Sequence, residues 1–200
     1  NFIKMHGLGN DFVIIDQRIS QINITKDIIN KLSNRKIGIG CDQLITINSH
    51  EEDNIAAKIE IFNPDGNKAE ACGNGTRCVA KLLFDEFNKK EIKILSEAGI
   101  LNALKIDDLN ISLNLGRLSH EWKKIPLSQQ IDTLNIPIQI NGFENGVAVN
   151  IGNPHIVFFG NDIKNIDLAE IGPNIENNKL FPNKTNVELI EIINRKKIKM

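Results

Sequence analysis

The sequence predicts an α/β (α+β) fold made of two structurally similar domains, and three observations predict it. Short apolar–polar alternations of strand type fill most of the chain, interrupted by a few stretches of helical spacing. Motifs of the first half return in order in the second. Gly9-Asn10 and Gly152-Asn153 enter strands 143 residues apart, Asp42 and Val187 open polar pairs 145 apart, and Lys58 and Lys197 start strands 139 apart. Nearly constant offsets in one order suggest a pseudo-two-fold repeat. Finally, the pattern of short strands gives way near Gly116 to a stretch of weak periodicity that holds the one Trp. We therefore expect an N-terminal domain over residues 1–115 and a C-terminal domain over residues 116–200. On the same offsets the second counterpart of the Cys72 loop falls about a dozen residues past Met200, so the second domain is expected to be incomplete.

Taken in order, Phe2–His6 reads as a strand, Gly7–Asn10 as a turn and Phe12–Ile15 as a second strand. Thr25 is an N-cap, followed by Asp27 in the first turn and by Ile28, Ile29 and Leu32 on one apolar face. That helix ends at Ser33–Arg35, and a glycine-punctuated loop, Ile37–Gln43, feeds a strand over Leu44–Ile47. Lys58–Phe62 alternates as a half-buried strand, and Pro64-Asp65-Gly66-Asn67 is a turn in which Pro presets φ and Gly or Asn accepts positive φ. Val79, Leu82, Leu83 and Phe87 recur at helical spacing after Cys72. Strands follow at Ile92–Leu95, Leu101–Ile106 and Ile111–Leu115, then at Val147–Ile151 and Ile156–Phe159. A short helix over Asp167–Ile171 is expected to stop at Gly172-Pro173, before closing strands at Val187–Ile193 and Lys197–Met200.

The chemistry is expected around Cys72, which sits in Ala71-Cys72-Gly73-Asn74-Gly75 between a turn and a helix. There the first helical N–H groups have no partners, a setting that binds anions and lowers a thiol's pKa. Cys41 and Cys78 read as buried fillers, and three cysteines at these spacings fit neither a disulfide framework nor a zinc site. A net charge of −1 and 5% aromatic residues with no tyrosine argue against nucleic-acid binding. No apolar run reaches a membrane-spanning length, and the first residues lack the core of a signal peptide. A cytoplasmic protein with no membrane partner is the resulting expectation.

Several segments resemble one family, diaminopimelate epimerase. They are Lys4–Phe12 (Lys-Met-His-Gly-Leu-Gly-Asn-Asp-Phe), Gly38–Gln43, Phe62–Gly66, Ala71–Cys78, Gly152–His155 and Thr185–Val187, in the family's order along nearly the whole chain. The resemblance implies two domains, each a β-sheet wrapped round a central helix. It implies interconversion of LL- and meso-2,6-diaminopimelate without PLP, metal or other cofactor, in lysine and peptidoglycan-precursor synthesis. One thiolate removes the α-proton and a thiol on the opposite face returns one. By matching position, Cys72 is one thiol, the N–H groups of Gly73 and Asn74 hold the α-carboxylate, and His155 modulates thiol ionisation. Asn10, Gln43, Asn63, Asn153 and Asn186 match substrate-contacting residues, and amides suit a zwitterion because each both donates and accepts. A small-molecule substrate and a homodimer of the full-length protein follow as expected partners. The family's second cysteine has no counterpart among these 200 residues, so the chain by itself is expected not to epimerise.

Blander readings stand beside these. Asn is favoured in turns, Asn is abundant here, and His155 before a strand serves as readily as a structural histidine. Two other functions fit the same fold: another amino-acid racemase or isomerase, and a catalytically dead relic that still binds diamino acids. A substrate panel separates the first, and binding without exchange at Cα identifies the second.

Overall fold

A computed structural model describes residues 1–140 and 142–200. The chain folds into two compact units, Asn1–Leu115 and Gly116–Met200. The class is mixed α+β, with few helices and much sheet.

In the first unit β1 (Ile3–Gly7) and β2 (Asn10–Asp16) form an antiparallel hairpin. Leu8 and Gly9 connect them with φ of 55° and 89°. Two positive φ values make the type I′ turn whose twist matches the strands. Phe12 to Ile15 are all buried, because β2 is covered on both faces. Phe12 and Ile14 join the core that includes Val79, Leu83 and Phe84, while Val13 and Ile15 pack with Ile29 and Leu44. The helix α1 (Lys26–Ser33) carries the chain to β3 (Gln43–Asn48), parallel to β2. Thr25 caps α1 by accepting from the Ile28 N–H at 3.3 Å.

The Ile37–Gln43 loop folds back on the end of α1. N–H groups of Gly38, Gly40 and Cys41 donate to the carbonyls of Asn34, Leu32 and Ser33 at 2.9, 2.9 and 3.1 Å. These are carbonyls that the end of the helix leaves open. The approach is close enough that a Cβ on Gly38 would lie 1.9 Å from the Lys31 carbonyl oxygen.

β4 (Ala57–Phe62) pairs antiparallel with β3, and a two-residue β5 (Lys68–Ala69), too short to show in the sequence pattern, returns along it. The helix α2 (Gly73–Phe87) then crosses to β6 (Glu91–Ser96), parallel to β4, followed by β7 (Gly99–Lys105) and β8 (Ile111–Asn114). The sheet runs β1-β2-β3-β4-β6-β7-β8. Flat, its edges would stand about 29 Å apart at about 4.8 Å per strand. Yet α2, about 10 Å across, touches both β1 and β8. The sheet therefore curls round α2. At the far end of α2, Arg18 Nη2 lies 2.6 Å from both Asp16 and Glu86, tying the end of β2 to the last turn of the helix.

The second unit has β9 (Val147–Asn150), β10 (Pro154–Phe159), β11 (Asn186–Asn194) and β12 (Lys197–Lys199). β9 and β10 are antiparallel, β10 and β11 parallel, and β11 and β12 antiparallel. Its core combines Ile156, Phe158 and Leu189 of the sheet with Ile125, Leu127 and Ile136 from the irregular stretch before it. The helix α3 (Leu168–Glu176) does not stop at Gly172-Pro173 as expected. Asp167 caps it, accepting from the Ala169 N–H at 2.9 Å. Continuing one turn past Pro173 buries Ile175 to 4% exposure, which outweighs the hydrogen bond that proline cannot donate.

Candidate functional site

Cys72 is extended (φ −148°, ψ 101°) and is the N-cap of α2, its sulfur accepting from the Gly75 N–H at 3.4 Å. Glycine at 75 leaves room for this turn against the sheet, since a Cβ there would meet Ile45 Cδ1 at 2.6 Å and Phe12 Cε1 at 3.2 Å. The Cys72 thiol lies 3.6 Å from Asn10 Oδ1, its second polar neighbour. A lowered pKa, expected from the helix start, is not what the surroundings produce. Burial pushes the thiol up, and the Gly75 and Asn74 N–H groups, with Arg77, pull it only part of the way back. Desolvation wins because it acts on the whole sulfur, whereas the helix start contributes two weak contacts. Cys72 rests as a thiol.

Asn10 is itself held. Its Nδ2 donates to Asp42 Oδ2 at 3.0 Å, and the same oxygen accepts from the Asp11 N–H at 2.9 Å. Arg35 Nη2 bridges Asp11 and Asp42 at 2.7 Å each, and Lys4 lies 2.8 Å from Asp11. The Arg35 guanidinium, with Lys4 beside it, holds the Asp11 carboxyl well below the usual carboxylate range despite some desolvation. The other predicted residues of this unit pair with one another. Gln43 Nε2 donates to Asn63 Oδ1 at 3.0 Å, while Gln43 Oε1 is buried with no partner. Gly73 and Asn74 occupy the first turn of α2, and the Asn74 side chain accepts from Arg77. Cys41 and Cys78 are 2% and 5% exposed, and burial pushes the Cys78 thiol up to about 11. A cavity of about 420 Å³ opens beside α2, lined by Met5, His6, Arg77 and Cys78 among others, but Cys72 does not line it.

In the second unit His155 stands between two acceptors. Its Nδ1 is 2.7 Å from Glu188 Oε1 and its Nε2 is 2.9 Å from Asn153 Oδ1. Glu188 Oε2 is buried without a partner. Asn186 pairs in register with His155 and donates to the Pro154 carbonyl at 3.0 Å. Glu188 was not among the expected site residues. It is one of two carboxylates in β11, with Glu191, and nothing in the sequence pattern separates the two. Among the described residues no three His, Cys, Asp or Glu side chains are arranged to hold a metal ion, and no helix is long and apolar enough to cross a membrane.

Comparison with known proteins agrees with the sequence resemblance. The Diaminopimelate epimerase family profile matches residues 2–121. The diaminopimelate epimerase of Pelagibacter ubique is 50% identical across 98% of this chain and 73% of its own length. That of a Wolbachia species from Drosophila simulans is 45% identical across 96% and 71%. Among solved structures, a phenazine biosynthesis protein of the PhzF family from Bacillus anthracis superposes with a TM-score of 0.56 at 15% identity, covering 98% of this chain and 67% of that one. A hydroxyproline epimerase from Agrobacterium vitis gives 0.54 at 13%, covering 88% and 54%. The two structures share the fold, and the relatives share the sequence: the chain belongs to the diaminopimelate epimerase family, whose members are isomerases.

Proposed function

We propose that Cys72 exchanges the α-proton of diaminopimelate, in a two-thiol conversion of the LL to the meso form. The observation that carries this reading is a half-buried thiol at the N-cap of α2, 3.6 Å from an amide oxygen. The α-proton of an amino acid is a very weak acid. A desolvated thiolate is a strong enough base to take it, and N–H groups at a helix start stabilise the charge that spreads into the α-carboxylate. Gly73 and Asn74 supply those groups in this reading. A proton from a thiol on the other face then fills Cα, so nothing is oxidised or consumed and no cofactor is required. Cys41 and Cys78 are too deeply buried to be that thiol.

Asn10, Gln43 and Asn63, and in the second unit Asn153 and Asn186, contact the substrate in this proposal. The buried, unpaired Gln43 Oε1 is a free acceptor for its ammonium groups. His155, gripped by Glu188 and Asn153, modulates proton traffic. The two units are copies of one fold in the same reading. It is supported by the succession antiparallel, parallel, antiparallel in β1–β4 and again in β9–β12.

The test is deuterium uptake at Cα of LL-diaminopimelate in D2O, followed by NMR. Uptake with the unaltered chain and a loss of about 10²-fold or more in Cys72→Ala is expected. Equal uptake in the variant, or none with the unaltered chain, overturns the assignment.

A further inference from the structure

The Asn10 amide has two chemically opposite ends, and its neighbours decide which one meets the Cys72 sulfur. Asp42 Oδ2, an acceptor only, receives Asn10 Nδ2 at 3.0 Å. The amide nitrogen is thus committed to the carboxylate, and the carbonyl oxygen is left facing Sγ at 3.6 Å. An oxygen there accepts from S–H but repels a thiolate. Asp42 in turn is fixed from three sides, by the Asp11 N–H at 2.9 Å, by Arg35 at 2.7 Å, and by its own N–H donating to the Asp11 backbone oxygen at 2.9 Å. The folded-back glycine loop delivers it to that place.

We propose that Asp42 is a positioning residue for the Cys72 thiol: it locks the Asn10 amide with its oxygen toward sulfur and so keeps the proton on Cys72. The charged and titratable groups acting on this sulfur are Arg77 and Cys78 on α2 and Asp42 on the loop. Arg77 favours the thiolate and Asp42 opposes it. Asp42 is 43% exposed at its side chain, so its direct charge is screened and its influence runs through the amide. Without Asp42 the amide is free to turn its N–H₂ toward sulfur, which reverses its preference from thiol to thiolate.

The inference deepens the epimerase reading by naming what governs its thiol, but its test needs no substrate. The pH dependence of Cys72 alkylation by iodoacetamide is followed by peptide-resolved mass spectrometry, with buried Cys41 and Cys78 as internal references. Asp42→Ala is expected to lower the midpoint by about one pH unit, making reaction near neutrality about tenfold faster. Asn10→Ala removes the same acceptor and is expected to shift the midpoint the same way. The two shifts do not add: the double variant lies nearer the larger single shift than the sum. An unmoved or raised midpoint in either single variant overturns the proposal, as does a double shift nearer the sum. Should Asp42→Ala fail to fold, Asn10→Ala alone decides, since it leaves the Asp11–Arg35–Asp42 network in place. A negative result here leaves the deuterium experiment standing, and the reverse also holds.

Discussion

Cys72 and Cys78 lie six positions apart, and their surroundings differ more than their spacing suggests. Cys72 is half-buried and touched by N–H groups, whereas Cys78 is 5% exposed among Val79, Leu83 and Phe84. Burial pushes Cys78 from its ordinary value of 9.0 up to about 11. The native state therefore holds this proton more tightly than the unfolded chain does. The resulting stability is fully present below pH 9 and is lost as pH rises through about 11, with Cys72 acting in the same direction. The loss should amount to about 3 kcal/mol well above pH 11, of which about 2 kcal/mol is lost by pH 10.5. Urea unfolding at pH 8 and pH 10.5 checks it: Cys78→Ala should flatten the slope, and an unchanged slope would refute the burial account. The N-cap position of Cys72 was legible in the turn-then-helix pattern. The direction of its pKa was not, because the desolvation comes from packing against a core assembled from strands that lie apart in the sequence.

At the scale of elements, hydrophobic period and caps located most of the described strands and the helices α1, α2 and α3, and the misses have local causes. Pro173 argued for a helix stop, but the buried side chain of Ile175 kept α3 going. The glycines of the Ile37–Gln43 loop read as punctuation, yet their purpose is to bring backbone against the end of α1. Gly38→Ala should therefore cost about 3 kcal/mol, since the clash is with the backbone oxygen of Lys31 and no rotamer relieves it. Thermal unfolding measures this. Because the same loop carries Asp42, the variant should also lower the midpoint of Cys72 alkylation. A destabilised protein with the alkylation profile of the parent would separate the loop's capping role from its effect on the site.

For the whole molecule, the first unit has two buried clusters and the second has one, and among the described residues none belongs to the clusters of both units. Phe158 is fully buried at the centre of the second. Phe158→Ala should lower protection of β9–β11 amides by about 3–5 kcal/mol. Amides of β2–β4 should keep theirs, as read by native-state hydrogen exchange. Equal loss in both units would mean that they unfold as one. Strands do begin where the Gly-Asn, polar-pair and lysine motifs put them, at β2, β3 and β4 and at β10, β11 and β12. What the sequence concealed was the second core's debt to Ile125, Leu127 and Ile136, which sit in a stretch without periodicity because irregular backbone presents side chains at no fixed interval.

The tie between Arg18 and Glu86 has a geometrical consequence. β2 and α2 run side by side, joined at one end through Asn10 and Cys72 and at the other through Arg18, which Asp16 and Glu86 grip together. Six strand steps of about 3.3 Å from Asn10 to Asp16 and fourteen helical steps of about 1.5 Å from Cys72 to Glu86 both come to about 20 Å. The strand and the helix are two rulers of equal length, clamped at the far end. The gap between amide and thiol is then the small difference between two long spans. One residue inserted in β2 would move the amide by about 3.3 Å and turn it to the opposite face of the sheet. Such an insertion should leave the protein with either the Arg18 clamp or the thiol contact, never both.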